Sequence, residues 1–187
     1  MTPRVLAAVG VALVVVAGGA FVLLRGGDVR ASYDGRPAFD LSYDPGQLRS
    51  VAPRAGELMR LRGDAADGLR FDIAVRRLRV PPYRGDANGA LPLFADRHIQ
   101  ALRAAAPRLV LRQEGKANIA DAPGYAIWFR PAPGAGLGAD TLLVPRSGAR
   151  DGLLLSYRQA KPAALTEADQ DVIRDVRAAV RSVRFTG

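Results

Sequence analysis

The run from Val5 to Leu24 constrains this chain more than any other feature: twenty residues without a charge, bracketed by Arg4 and Arg25. A helix rising about 1.5 Å per residue needs roughly twenty apolar residues to cross the hydrocarbon core of a bilayer. The run therefore predicts an N-terminal transmembrane helix within residues 1–25 and a single-pass location in a cell membrane. A cleavable secretory signal is the rival reading, because Gly18, Gly19 and Ala20 are small residues suited to a cleavage site. Against it, Phe21, Val22, Leu23 and Leu24 carry the apolar stretch past them, whereas a signal core usually spans about 7 to 15 residues. The chain has no cysteine, which excludes a thioether lipid anchor, disulfides and zinc thiolates. Arg4 on one side and Arg25 and Arg30 on the other nearly balance, so flanking charge does not set the orientation. A short tail before the first apolar helix is the usual signal-anchor arrangement, and it places the following domain outside the cytoplasm.

Residues 26–38 read as a flexible tether, with Gly26, Gly27, Gly35 and Pro37 among charges and Tyr33 as the only large apolar side chain. Residues 39–187 then have the length of one domain with one core. The net charge of +9 arises from 25 Arg and 2 Lys against 15 Asp and 3 Glu. From Ala31 onward there are 24 basic and 17 acidic residues, so most of the surplus belongs to the domain. Such a surplus attracts anionic lipid or acidic envelope polymers. It also matches the Arg-rich, Lys-poor bias of a GC-rich genome, and the arginines are scattered among aspartates instead of forming a block. Aromatics do not interleave with them as a nucleic-acid stacking platform requires, so no nucleic-acid partner is expected.

Alternation in Phe39, Leu41 and Tyr43 predicts a strand ended by Pro45-Gly46, followed by a weaker strand at Glu57 to Arg62. Leu69, Phe71, Ile73 and Val75 share one face, and the apolar phase then slips to Leu78 and Val80, which predicts a bulge or strand end near Arg76-Arg77. Between Ala90 and Ala106 the period becomes helical, with Leu91, Phe94, His98, Ala101, Leu102 and Ala105 on one face. Strands are expected at Arg108 to Gln113, Tyr125 to Arg130, Thr141 to Val144 and Leu153 to Arg158. Gly115, Pro123-Gly124, Pro131 through Gly138 and Pro145 through Gly152 read as the connections between them. Within the second of these strands, Tyr125, Ile127 and Phe129 face the core and Trp128 points the other way. A second helix opens on Thr166 and Asp169, spaced as a capping box, and buries Val172, Ile173, Val176, Ala179 and Val180. The expected class is α+β: a mostly antiparallel sheet of about six or seven strands with two main helices on its faces.

The segments F-D-L-S-Y-D-P at Phe39 to Pro45, G-Y-A-I-W-F at Gly124 to Phe129, G-L-L-L-S-Y at Gly152 to Tyr157 and S-V-R-F at Ser182 to Phe185 resemble the PsbP-like fold family. Leu48 stands where that family's opening motif often carries an aromatic. The resemblance implies an α-β-α sandwich of the kind found in extrinsic photosystem II subunits, in a nuclear import factor that binds the Ran GTPase, and in bacterial lipoproteins and membrane-anchored proteins. It implies binding or assembly as the role, and it supplies no catalytic or ligand motif.

The residues themselves offer little chemistry. Gly134, Gly136 and Gly138 form a G-x-G-x-G string, but a strand follows it where a phosphate loop needs a helix, so it reads as a hairpin connection. His98, the only histidine, sits beside Phe94 and Leu102 on the helical face and reads as a packed core residue. No catalytic set, metal site or cofactor is expected. Trp128 either packs under a helix or forms a platform with Arg130, Tyr157 and Arg158, an aromatic-plus-Arg patch typical of interfaces. The expected function is a membrane-tethered, non-enzymatic binding or accessory domain engaging an unknown protein or ligand. An Arg-rich peripheral domain on anionic lipid or acidic envelope polymer is the alternative, and an enzyme with an unrecognised site is third.

Overall fold

The computed structural model describes residues 13–16, 20–25, 27–65, 68–160 and 164–186, the first two segments by their backbone. Twelve strands and two helices occur among them. The larger sheet contains β5 (Arg49–Ser50), β6 (Glu57–Asp64), β7 (Arg70–Arg79), β8 (Val110–Ile119), β9 (Ala122–Arg130), β10 (Leu137–Leu143) and β11 (Asp151–Ala160). Its order is β5-β6-β7-β11-β10-β9-β8, and every pair is antiparallel. Helix α1 (Ala87–Ala105) carries the chain from β7 to the far edge of the sheet, and β8 to β11 meander back until β11 pairs with β7. Asp86 caps α1 by accepting a hydrogen bond from the Gly89 N–H at 2.8 Å, which starts the helix three residues ahead of its apolar stripe.

Alternation delivers each strand to two cores. Leu69, Phe71, Ile73 and Val75 bury on one face with Leu153, Leu155 and Tyr157, beneath α2 (Glu167–Arg181). Val80, Ile127, Phe129 and Leu142 bury on the other with Leu91, Ala95 and Ile99 of α1. The phase slip in β7 is thus an exchange of faces, and β7 pairs with β11 without interruption. The bulge lies instead on the neighbouring strand, at Leu58, between the pairs Glu57–Arg76 and Met59–Val75.

A second sheet was not expected. It has the order β1-β2-β3-β4-β12, formed by Leu13–Val16, Ala20–Arg25, Asp28–Tyr33, Phe39–Tyr43 and Arg184–Phe185. It packs beside α2 on the same core. Asp28–Tyr33, read as part of a tether, is a strand of the domain: Val29 and Ala31 are 3% and 2% exposed, and Arg30 pairs with Asp40 of β4. Alternation over so short a segment needs only two small apolar residues, fewer than a composition-based reading registers.

The apolar run lies partly outside the described residues, at 1–12 and 17–19. Its described parts, Leu13–Val16 and Ala20–Arg25, are extended and pair with Val16 opposite Ala20, instead of forming the expected helix. Val14, Val15 and Val16 have the β-branching that suits a strand, within a run that also has the length of a span. Among the described residues no helix is long and apolar enough to cross a membrane.

Two turn expectations are also corrected. Gly115 lies inside β8, and Pro123-Gly124 lies inside β9. The turn is Ala120-Asp121, at φ of 47° and 68°, between the paired residues Ile119 and Ala122. Gly124 serves close packing: a Cβ there would lie 2.5 Å from Cδ2 of Leu143. Because Val29 belongs to the core, Val29→Asp should cost about 3 kcal/mol by burying an unpaired charge. Urea denaturation measures this, and an unchanged midpoint would restore the tether.

Candidate functional site

The parity of β9 and β11 decides which side chains can meet. On β9, Tyr125, Ile127 and Phe129 pack on the α1 core as expected, and Trp128 turns toward α2. On β11, Tyr157 joins the α2 core, while Arg158 lies on the other face with its guanidinium carbon 4.8 Å from the Phe129 ring. Of the four residues expected to form one patch, Trp128 and Tyr157 are in contact, with ring centroids 6.3 Å apart. Arg130 is exposed further along the α2 side, and Arg158 belongs to the opposite face.

Trp128 is both packed and accessible. The Arg177 guanidinium of α2 lies 4.9 Å from its ring centroid and 5.8 Å from that of Tyr157. Beside this stack a cavity of about 250 Å3 opens between α2 and the sheet. Ala126, Trp128, Ala139, Thr141, Leu155 and Tyr157 form its floor; Asn118 and Ile119 of β8 form one wall, and Arg177, Val180 and Arg181 of α2 the other. The Tyr157 hydroxyl donates to Gln159 Oε1 at 2.7 Å. Burial pushes its pKa up to about 12 against the opposing pull of Arg177, so the phenol is neutral at physiological pH. Arg177 makes no ion pair among the described residues, and its Nε is buried without a hydrogen-bond partner. Arg177 was not among the residues expected at a site. Its position one turn after Ile173, on the flank of the buried stripe, was the available signal.

The α1 face holds a second constellation. His98 Nε2 lies 2.8 Å from Asp140 Oδ2, and Arg158 Nη1 donates to Asp140 Oδ1 at 2.6 Å. The Asp140 side chain is 2% exposed, yet His98 and Arg158 hold its carboxyl below the usual range against burial, which acts upward and is the largest influence. His98 is thus a partly buried residue anchored by a carboxylate on another element, a pairing that sequence reading missed. Among the described residues no hydroxyl bonds to the His98 ring, so a serine relay is not assembled. Nor is there among them a group of three or more His, Asp or Glu placed to hold a metal ion. The G-x-G-x-G string forms the β9–β10 connection and the start of β10; a Cβ at Gly136 would lie 1.8 Å from the Gln159 carbonyl oxygen, so glycine there lets the chain approach β11. Chemically, the α2-side cavity can bind, and neither constellation supplies a nucleophile with its base.

No family model and no curated protein sequence matches the chain. Among solved structures it is similar to the solution structure of cyanobacterial PsbP (CyanoP) from Synechocystis sp. PCC 6803, with a TM-score of 0.53 and 12% identity over 87% of this chain and 95% of that one. The fold is PsbP-like, as the sequence resemblance implied.

The lowered pKa of Asp140 has a definite pH signature. Its contribution to stability is complete above the unfolded value of about 3.9 and is lost as pH falls through the lower folded value. Asp140→Asn should therefore cost about 2 kcal/mol near pH 7, with a smaller gap to wild type at about pH 3, below the unfolded value. Urea titrations at both pH values check this, and a gap independent of pH would show that the carboxylate is not its source.

Proposed function

We propose that this chain is a membrane-tethered, non-enzymatic accessory domain that engages a protein or ligand partner at the outer face of a bacterial cytoplasmic membrane. The observation that carries this reading is the α2-side cavity, which has an aromatic floor and, among the described residues, an arginine without a carboxylate partner and no catalytic relay. The PsbP-like fold supports it through the binding and assembly roles that the family resemblance implies. The tether rests on Val5 to Leu24. In a bilayer a segment must satisfy its own backbone polar groups, which a helix does and an open pair of strands does not. Insertion would therefore draw β2 away from β3 and leave β3 as the outer strand of the small sheet.

The arginine surplus supports a second reading, a peripheral domain that holds acidic material. A cavity of about 620 Å3 is lined by Arg36, Arg146 and Arg150 together with Asp121 and Asp151, the last already paired with Arg77. Arg36 lies in the β3–β4 turn, at the opposite end of that hairpin from Asp28, where the anchor segment joins. That position suits an acidic envelope polymer better than the headgroups of the anchoring membrane.

Because the chain lacks cysteine, Ala104→Cys on the exposed side of α1 reports topology without background. A membrane-impermeant maleimide is expected to label it in intact spheroplasts, and labelling only after lysis would overturn the outer-face assignment. The protein is expected to resist carbonate extraction, and release into the wash would remove the anchor. Substrate turnover abolished by His98→Ala would overturn the non-enzymatic reading.

A further inference from the structure

We infer that the recess beneath α2 binds a small amphipathic carboxylate, with its apolar body over Trp128 and its carboxylate on Arg177. This deepens the reading of the domain as a binding module and rests on it. The first support is the state of Arg177. Its guanidinium is drawn in over two aromatic rings, its Nε is shielded from water without a hydrogen-bond partner, and no carboxylate pairs with it among the described residues. A shielded cationic donor without an acceptor is costly, and native structures rarely retain one without a reason. Arg177 lines the recess, where an incoming carboxylate would offset that cost by matching the outer fork of its guanidinium.

The second support is the recess itself. At about 250 Å3 it exceeds the cavity of roughly 150 Å3 that admits benzene in an engineered protein. It has room for a compact ring or short chain. Its walls are largely apolar, from Ile119, Ala126, Ala139, Leu155 and Val180, so a ligand that is charged throughout would be desolvated without return. Arg181 adds positive charge to the lining next to Arg177. Tyr157 does not oppose an anion, because its phenol is neutral and its proton is committed to Gln159.

Trp128 is the only tryptophan in the chain, so its emission reads this recess directly. The full chain in phosphatidylcholine nanodiscs, titrated with hydrocinnamate, should give a saturable change in tryptophan fluorescence with a Kd on the order of 0.1 mM. Hydrocinnamide, the neutral counterpart, should bind at least about tenfold more weakly, since a charge-assisted contact is lost. Arg177→Met should weaken the carboxylate by a similar factor and leave the amide unchanged, with the thermal midpoint as the control for folding. Ala126→Leu, which fills the recess, should remove both ligands and serves if Arg177→Met does not fold. The inference is overturned by the absence of a saturable change, by equal affinity for acid and amide, or by undiminished hydrocinnamate binding in either variant. Maleimide topology does not depend on this ligand, so failure here and failure of the tethered-domain reading are separately visible.

Discussion

The antiparallel pairing of β7 with β11, from Arg79 opposite Asp151 to Arg70 opposite Ala160, is the contact on which both cores are laid. It joins segments separated in sequence by α1 and three strands, so the helix must cross the sheet and the meander must return. Once the two strands are in register, Phe71, Ile73, Val75, Leu155 and Tyr157 form a single apolar surface for α2 and the small sheet. A slip of one residue would turn that surface to the other side. The recess over Trp128 exists because β8, β9 and β10 extend this surface past the part that α2 fills.

The opposite face is closed differently. Over β9 and β10 it is covered by α1, but over β6 and β7 the covering is ionic. Glu57 pairs with Arg76 at 2.7 Å and with Arg60 at 3.4 Å, and Arg60 also pairs with Asp72. Burial raises the Glu57 pKa, but a hydrogen bond from the Arg54 N–H and the charges of Arg60 and Arg76 lower it further, so the carboxyl stays ionised. Asp140 does the same at the margin of α1, where His98 and Arg158 meet. Charges that composition treats as a surface surplus are here part of the layer that covers the sheet.

How much of this the sequence discloses depends on whether a residue's role is set locally. The cap of α2 is local, and Thr166 and Asp169 form the expected capping box. Alternation is local too, so Phe71, Ile73 and Val75, and Tyr125, Ile127 and Phe129, were legible as core. Pro123-Gly124 misled because glycine was needed for the side chain of Leu143, a contact between strands, while the turn fell on Ala120-Asp121. Trp128 was legible as a residue that either packs or binds, but its company was not. Arg158 was assigned beside it from sequence adjacency to Tyr157, and alternation sends those two neighbours to opposite faces. Arg177 and Asp140 take their meaning from partners on other elements, which no local pattern records.

The chain's last strand has a consequence for its biogenesis. The Ser182 hydroxyl accepts from the Ser42 N–H at 2.8 Å and donates to the Ser42 carbonyl at 2.9 Å, and Arg184–Phe185 pairs with Asp40 and Phe39. β4 is therefore completed by residues about 140 positions further along the chain. Until those residues emerge from the ribosome, β4 has no β12, and before β11 emerges β7 lacks its partner, so the apolar surfaces they share stay uncovered. Neither sheet can close until these late partners, β11 for the larger and β12 for the smaller, are available to it.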